Sequence, residues 1–494
     1  MRNAARRLAP RFFALLLAGC SQQGPPPASR TISGTCLVTY FLDDGSTTTL
    51  ADCGGATVTA SGLDGAGRWI QAGATVPTSR GFSVLAPAGN YLLGVKYPSY
   101  SYWEYFETAL ETFALDANVV GRPDAVGASA QTIVTFNVDG MDPWDSNDYL
   151  ELTSSGASTF KELVHPSGAT ALPSGAISAL LSFDWYGSAS RLPDGSRGDV
   201  VYLHQDTTMP VPGTALSYQT ATRFVELPAT FAVANGTTQS LNATLGPVPQ
   251  TGSLSVDWRT STFEQYRADI HPDATGTQHL LLVDANPHTL SNRPHLEPGT
   301  PDMVILVLAP GTTDQNLVGI PYGQFLPSFW VEYRLVYFNA GLAVTAPGAT
   351  SAGTFHGVIG RYDPLPAPTG PVTPGVTPPR APRIGGLDAF QSPSSVGTTP
   401  TLSWSLPAVG VPTSYTIAIS QPVLAANGGT AFQQIAFLTT SAMSLIVPPG
   451  LLQPGVQYVA LITAYVKSPD TSDSAPYRLS FPYAYASAVM TFST

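Results

Sequence analysis

The sequence predicts an all-β, multidomain chain of β-sandwiches joined by proline-rich linkers. Three observations lead there. Short apolar runs end at Gly, Pro, Asn or Asp about every eight to twelve residues, which is the rhythm of sandwich strands and turns. The composition is rich in Gly (46) and Pro (45) beside 21 Tyr, 21 Phe and 7 Trp, with few charges. Sustained helical periodicity is absent, and "WEYFETALETF" is the one segment that reads as a short helix. A chain of 494 residues has room for two to four domains.

Residues 1–19 carry Arg2, Arg6, Arg7 and Arg11 and no acid, followed by the apolar run Phe12 to Ala18. That run is far below the roughly 18 to 20 apolar residues that span a bilayer. A basic start, a short apolar core and small residues before a cut are the parts of an export signal. Leu17-Ala18-Gly19-Cys20 resembles the bacterial lipobox. The resemblance implies that Cys20 is lipidated and begins the mature chain, and that Ser21, where a retention signal places Asp, directs it to the outer membrane. Several acyl tails, at about 0.8 kcal/mol per buried CH₂, make a lasting anchor, so the membrane is an expected partner. Residues 20–31, containing "SQQGPPPASR", read as a polar tether.

Loss of the four leader arginines moves the net charge from −11 to −15. Such a surface is a poor match for nucleic acid, whose phosphates must be neutralised by Lys and Arg. Two cysteines remain, Cys36 and Cys53, and export makes a disulfide their expected state. Closing that loop restricts the unfolded chain and contributes about 3 kcal/mol.

Residues 32–118 open the folded part. Ala56 and Val58 lie on an early strand, and "GFSVLAPAGNYLLGVKY" places Phe82 on a later one before the turn Pro87-Ala88-Gly89. Tyr91, Leu93 and Val95 then alternate inward. This resembles the carboxypeptidase-regulatory or transthyretin-like domains, which implies a seven-stranded sandwich with a structural or binding role. The insertion around "LDGAGRWIQAGATVPTSR" departs from the compact form.

Residues 119–363 hold one or two further β-domains. "DMVILVLAPG" is apolar on both faces and reads as a central strand, whereas "FWVEYRLVYF" sets Glu332 and Arg334 on a face that reads as exposed. "LSFDW" at 181 returns as "LSVDW" at 254, and "FALDAN" at 113 is echoed by "FAVANG" at 231, which points to two related units.

Residues 364–383 are proline-dense and read as a semi-rigid spacer. In residues 384–494, "TLSWS" carries Trp404, "SYTIAIS" alternates Tyr415, Ile417 and Ile419, and "LQPGVQYVALITAY" holds Leu452, Pro454, Gly455 and Tyr458. This resembles a fibronectin type III domain, implying that the Tyr458 hydroxyl bonds back to upstream backbone.

No segment brings together nucleophile, base and orienting group, and no motif requires a cofactor. Asp139, Asp142, Asp145, Asn147 and Asp148 crowd one turn, where they either supply oxygens to calcium or cap the turn. His271, Asp273, His279, Asp284, His288, His295 and Glu297 contain ligand types without the spacing of a metal motif. Tyr97, Tyr100, Tyr102, Trp103 and Tyr105 form either a ligand-contacting aromatic patch or a buried domain seam. The expected function is a lipid-anchored envelope protein whose sandwiches bind a polysaccharide or protein ligand without catalysis. The alternatives are an envelope hydrolase with its site in 119–363, and a substrate-capturing lipoprotein of an uptake system.

Overall fold

Alternating apolar and polar residues build the strands, and each apolar face closes a sandwich. A computed structural model describes residues 29–64, 69–78, 80–163, 172–187, 190–286, 300–477 and 482–494. The expected leader, the lipidation position Cys20 and most of the tether lie outside the described residues.

The first module contains β1 (Ser29–Thr35), β2 (Leu37–Phe41), β3 (Thr47–Ala51), β4 (Thr57–Leu63), β5 (Trp69–Thr75), β6 (Gly81–Pro87), β7 (Tyr91–Lys96), β8 (Trp103–Thr108) and β9 (Thr112–Ala114), followed by the connecting β10 (Ala117–Val120). The second contains β11 (Ile133–Asp139), β12 (Tyr149–Ser154), β13 (Thr159–Leu163), β14 (Ser178–Asp184), β15 (Tyr202–Pro210), β16 (Ser217–Glu226) and β17 (Thr238–Thr244). After the short β18 (Gly246–Pro247) come β19 (Gly252–Trp258), β20 (Thr275–Asn286), β21 (Asp302–Leu308), β22 (Gln315–Tyr322), β23 (Val331–Val344), β24 (Gly353–Pro364) and β25 (Pro371–Val372).

These three modules are one fold repeated. Setting aside β2 and β3, each has seven strands in the same order. The first strand pairs antiparallel with the fourth and parallel with the seventh. The second lies between the third and fifth, and the sixth pairs with the fifth. Residues 119–363 thus hold two units. The sequence echo had matched unlike strands, since "LSFDW" is mostly β14, a fourth strand, and "LSVDW" is in β19, a first strand.

The fourth module contains β26 (Arg380–Ile384), β27 (Leu387–Asp388), β28 (Thr401–Ser405), β29 (Ser414–Leu424), β30 (Thr430–Thr440), β31 (Ser444–Ile446), β32 (Gln457–Lys467) and β33 (Pro482–Ser493). One sheet runs β27-β26-β28-β31, and the other runs β30-β29-β32-β33. Trp404 is buried edge-on against Tyr415. The Tyr458 hydroxyl accepts the Gln453 amide at 2.8 Å.

Edges that would otherwise invite foreign strands are joined between modules. β16 meets β21, β24 meets β33, and β8 pairs in parallel with β30, so strands of all four modules share a 17-stranded sheet. "DMVILVLAPG" is central because a neighbouring module flanks it. The proline-rich stretch is not a projecting spacer. Pro371–Val372 pairs with β19, and Val372, Val376 and Thr377 are buried. "WEYFETALETF" is not helical, because β8 and β9 are strands fixed by partners distant in sequence. Short helices form elsewhere, α1 (Thr260–Glu264) and α2 (Arg267–Ile270). The polar face of "FWVEYRLVYF" is covered as well, with Arg334 only 2% exposed.

The β2–β3 hairpin is an arm inserted between the first and second strands of module one, and the Cys36–Cys53 disulfide closes its base. Its turn places Asp43 inside module two, where Ser155 donates to one carboxylate oxygen and the Val200 amide donates to the other at 2.9 Å. Gly156 makes this approach feasible, because a Cβ there would lie 2.5 Å from the Asp43 carboxylate. Burial pushes the Asp43 carboxyl up to about 6, against the hydrogen bonds that favour its charged form. A raised folded-state value favours folding fully below about pH 4 and loses that contribution as pH rises through about 6, some 3 kcal/mol in all. Asp43→Asn is therefore expected to remove Asp43's share, about 3 kcal/mol, of the fall in stability between pH 4 and 6, leaving the share of other raised carboxyls such as Glu151 and Asp302. Denaturant melts of both proteins across that range measure it.

Candidate metal centre and aromatic seam

On β12 and β15, Leu150, Leu152 and Leu203 face the core of module two. Alternation sends Glu151, His204 and Asp206 to the other face, where sequence reasoning expects water. Here that face is covered. Glu151 is opposite His204 in the ladder, and Asp206 is two residues further along the same strand. His204 Nε2 is 3.4 Å from Glu151 Oε2, and His204 Nδ1 is 3.0 Å from Asp206 Oδ2. All three residues are at most 2% exposed. Glu151 Oε2, both ring nitrogens and both Asp206 oxygens are buried without a hydrogen bond.

Module three completes the surroundings. Phe325 lies 5.2 Å from the His204 ring and also packs on Tyr202 and Phe224. Asp284 and Asp302, ladder neighbours on β20 and β21, add negative charge, and Glu162 stands at the rim. Burial, then the carboxylates of Asp206, Asp302, Glu162 and Asp284, hold the Glu151 carboxyl well above its usual range. Burial, then Asp284, Asp206 and Glu162, does the same to Asp302. Such a group must take up protons or hold a cation. Among the described residues, this is the group of three ligand-type side chains whose atoms converge, all lying within 4.8 Å of one another.

The residues singled out from sequence are placed differently. Asp139 is exposed at the end of β11. Asp142 pairs with Arg223 at 2.8 Å, and Asp145 accepts the Asn147 amide. Asp148 accepts the amides of Asp145 and Thr208. This turn uses its oxygens for capping. His271 is buried against Phe390, and its Nδ1 accepts the Asp273 amide, while Asp273 itself is exposed. His279 is buried beside Phe338, 3.4 Å from Glu264, and burial lowers its tendency to protonate. Asp284 alone joins the new centre. His288, His295 and Glu297 lie outside the described residues.

The aromatic segment lies along the seam of modules one and four. Tyr102 meets Phe437 edge-on at 5.2 Å, Tyr97 meets Tyr477 at 5.9 Å, and Trp103 stacks on Tyr105. Tyr477 donates to Glu104, and Thr440 donates to Glu107. Tyr100 is the exposed member, stacked on Tyr102. Burial between domains is thus its main use, although the neighbour is the last module rather than the second.

No protein-family model matches this chain, and no curated protein does. One solved structure with some likeness is the tetra-tandem repeat in the extending region of a large adhesion protein, at 12% identity. The alignment covers 93% of this chain and 99% of that one with a TM-score of 0.12, a level at which the likeness carries no argument.

Proposed function

We propose that this is a lipid-anchored protein of the outer membrane that holds a rigid block of sandwiches against the envelope and binds a polysaccharide or protein ligand without catalysis. The observation that carries the reading is the joining of module edges into one sheet, which makes a block rather than a flexible string. The lipobox-like Leu17-Ala18-Gly19-Cys20 supports the anchor. The strand order and the Tyr458 bond support a fibronectin type III-like end, and the strand order of module one supports a transthyretin-like start. A ligand surface is available where an open cleft of about 550 Å³ is lined by Asp257, Tyr322, Glu332, Arg334 and Pro366.

The test is metabolic labelling with a palmitate analogue, combined with protease shaving of intact cells. Wild type is expected to carry the label and to fractionate with the outer membrane, and Cys20→Ala to lose both. An unlabelled wild-type protein with a free amino end elsewhere would overturn the reading.

A further inference from the structure

We infer that Glu151, His204 and Asp206 of module two form a binding site for a divalent transition-metal ion on the face that module three covers, so that the ion helps to hold these two modules together. The inference does not depend on the envelope reading.

Two independent features lead there. The first is convergence of ligand atoms from β12 and β15 within 4.8 Å. The second is that five nitrogen and oxygen atoms of these side chains are buried without hydrogen bonds. Buried polar groups nearly always have a partner, and leaving one without costs about 1–3 kcal/mol, more when it is charged. A whole set aimed at one point lacks a reason in a purely structural role. A purely structural ion pair would need His204 protonated between Glu151 and Asp206, yet neither approach has hydrogen-bond geometry.

The donor set indicates the class of ion. One imidazole among carboxylates suits Zn²⁺ or Mn²⁺, whereas Ca²⁺ takes six to eight oxygens and does not use imidazole. The His204 ring nitrogens face Glu151 and Asp206, so an ion held by one nitrogen and its neighbouring carboxylate leaves the other carboxylate beside the second nitrogen, where it orients the ring and can still reach the ion through its free oxygen. The location defines the role. β16 and β21 touch at Gln219 and Ile305, Thr220 donates to the Met303 carbonyl at 2.8 Å, and Phe325 closes the centre from above. An ion there lies on the face of module two that module three covers, so binding and docking are coupled.

The test uses the full chain. After chelator treatment and desalting, the protein is titrated with Zn²⁺, Mn²⁺ and Ca²⁺, followed by calorimetry and thermal melting, and metal content is measured by mass spectrometry. One equivalent of Zn²⁺ or Mn²⁺ per chain is expected, with a melting midpoint that rises with metal concentration and little response to Ca²⁺. Glu151→Gln and Asp206→Asn are each expected to weaken binding at least tenfold. Should both variants fail to fold, the wild-type stoichiometry still decides the matter. Less than 0.1 equivalent bound, with no change in melting for any of the three ions, overturns the inference. So does a metal-free protein in which nitrogen-detected NMR shows His204 doubly protonated between the two carboxylates, with melting indifferent to metal.

Discussion

Arg334→Met is expected to destabilise the protein by about 3–5 kcal/mol, the cost of leaving a buried charge without its counterion. Arg334 on β23 stands opposite Asp363 on β24, and its Nη2 lies 2.5 Å from Asp363 Oδ2. Both residues are at most 5% exposed. With the guanidinium gone, Asp363 keeps only Arg361, a half-buried partner 3.0 Å away. Denaturant unfolding read on modules three and four, which share a core, measures the loss. The double variant Arg334→Met with Asp363→Leu is expected to recover most of it, because a buried pair replaced by apolar side chains is often neutral or better. A single variant within about 1 kcal/mol of wild type would mean that Arg361 neutralises Asp363 by itself.

The second large effect lies at the junction of modules two and three. A Cβ on Gly323 would stand 2.1 Å from the Ala221 carbonyl oxygen and 2.7 Å from Val248. The obstacle is backbone, so no side-chain rotation relieves it. The Gly323 amide donates to Thr220, and Tyr218 donates to the Pro321 carbonyl at 2.5 Å, so displacement would break both bonds. Gly323→Val is expected to cost at least about 3 kcal/mol, the upper range of overpacking. Because the modules are joined here, one cooperative transition should become two, seen as separate steps in denaturant melts and as new cleavage between them in limited proteolysis. Gly246→Ala is the control, since its Cβ would have 3.8 Å of clearance, and it should change little.

What could be read in advance divides along the range of the interactions. The all-β class, the turn before Tyr91 and the Tyr458 corner depend on residues within one or two strands, and these were legible. "WEYFETALETF" spaces its apolar residues like a helix, but the ladder between β8 and β30 decides its conformation, and no local pattern announces that. The candidate centre was hidden for a similar reason. In "YLELTS" Glu151 alternates with leucines as it would on a wet face, in "YLHQDTT" polar residues follow Leu203 without a break, and only a second module turns the face of Glu151, His204 and Asp206 inward. The available signal was His204 and Asp206 two residues apart, which puts them on the same side of a strand. Arg334 deceived in the same way, its burial being set by a cross-strand acid.

Thr440 and Glu107, 333 residues apart, are joined across the seam that closes module one against module four. Chains emerge from synthesis amino end first, and contacts so distant form late. Until β30 arrives, β8 stays a bare border strand, open to any passing polypeptide. The fourth module is thus the lid on the first, and a chain cut short before residue 430 should clump as it is made even though its first three sandwiches are complete.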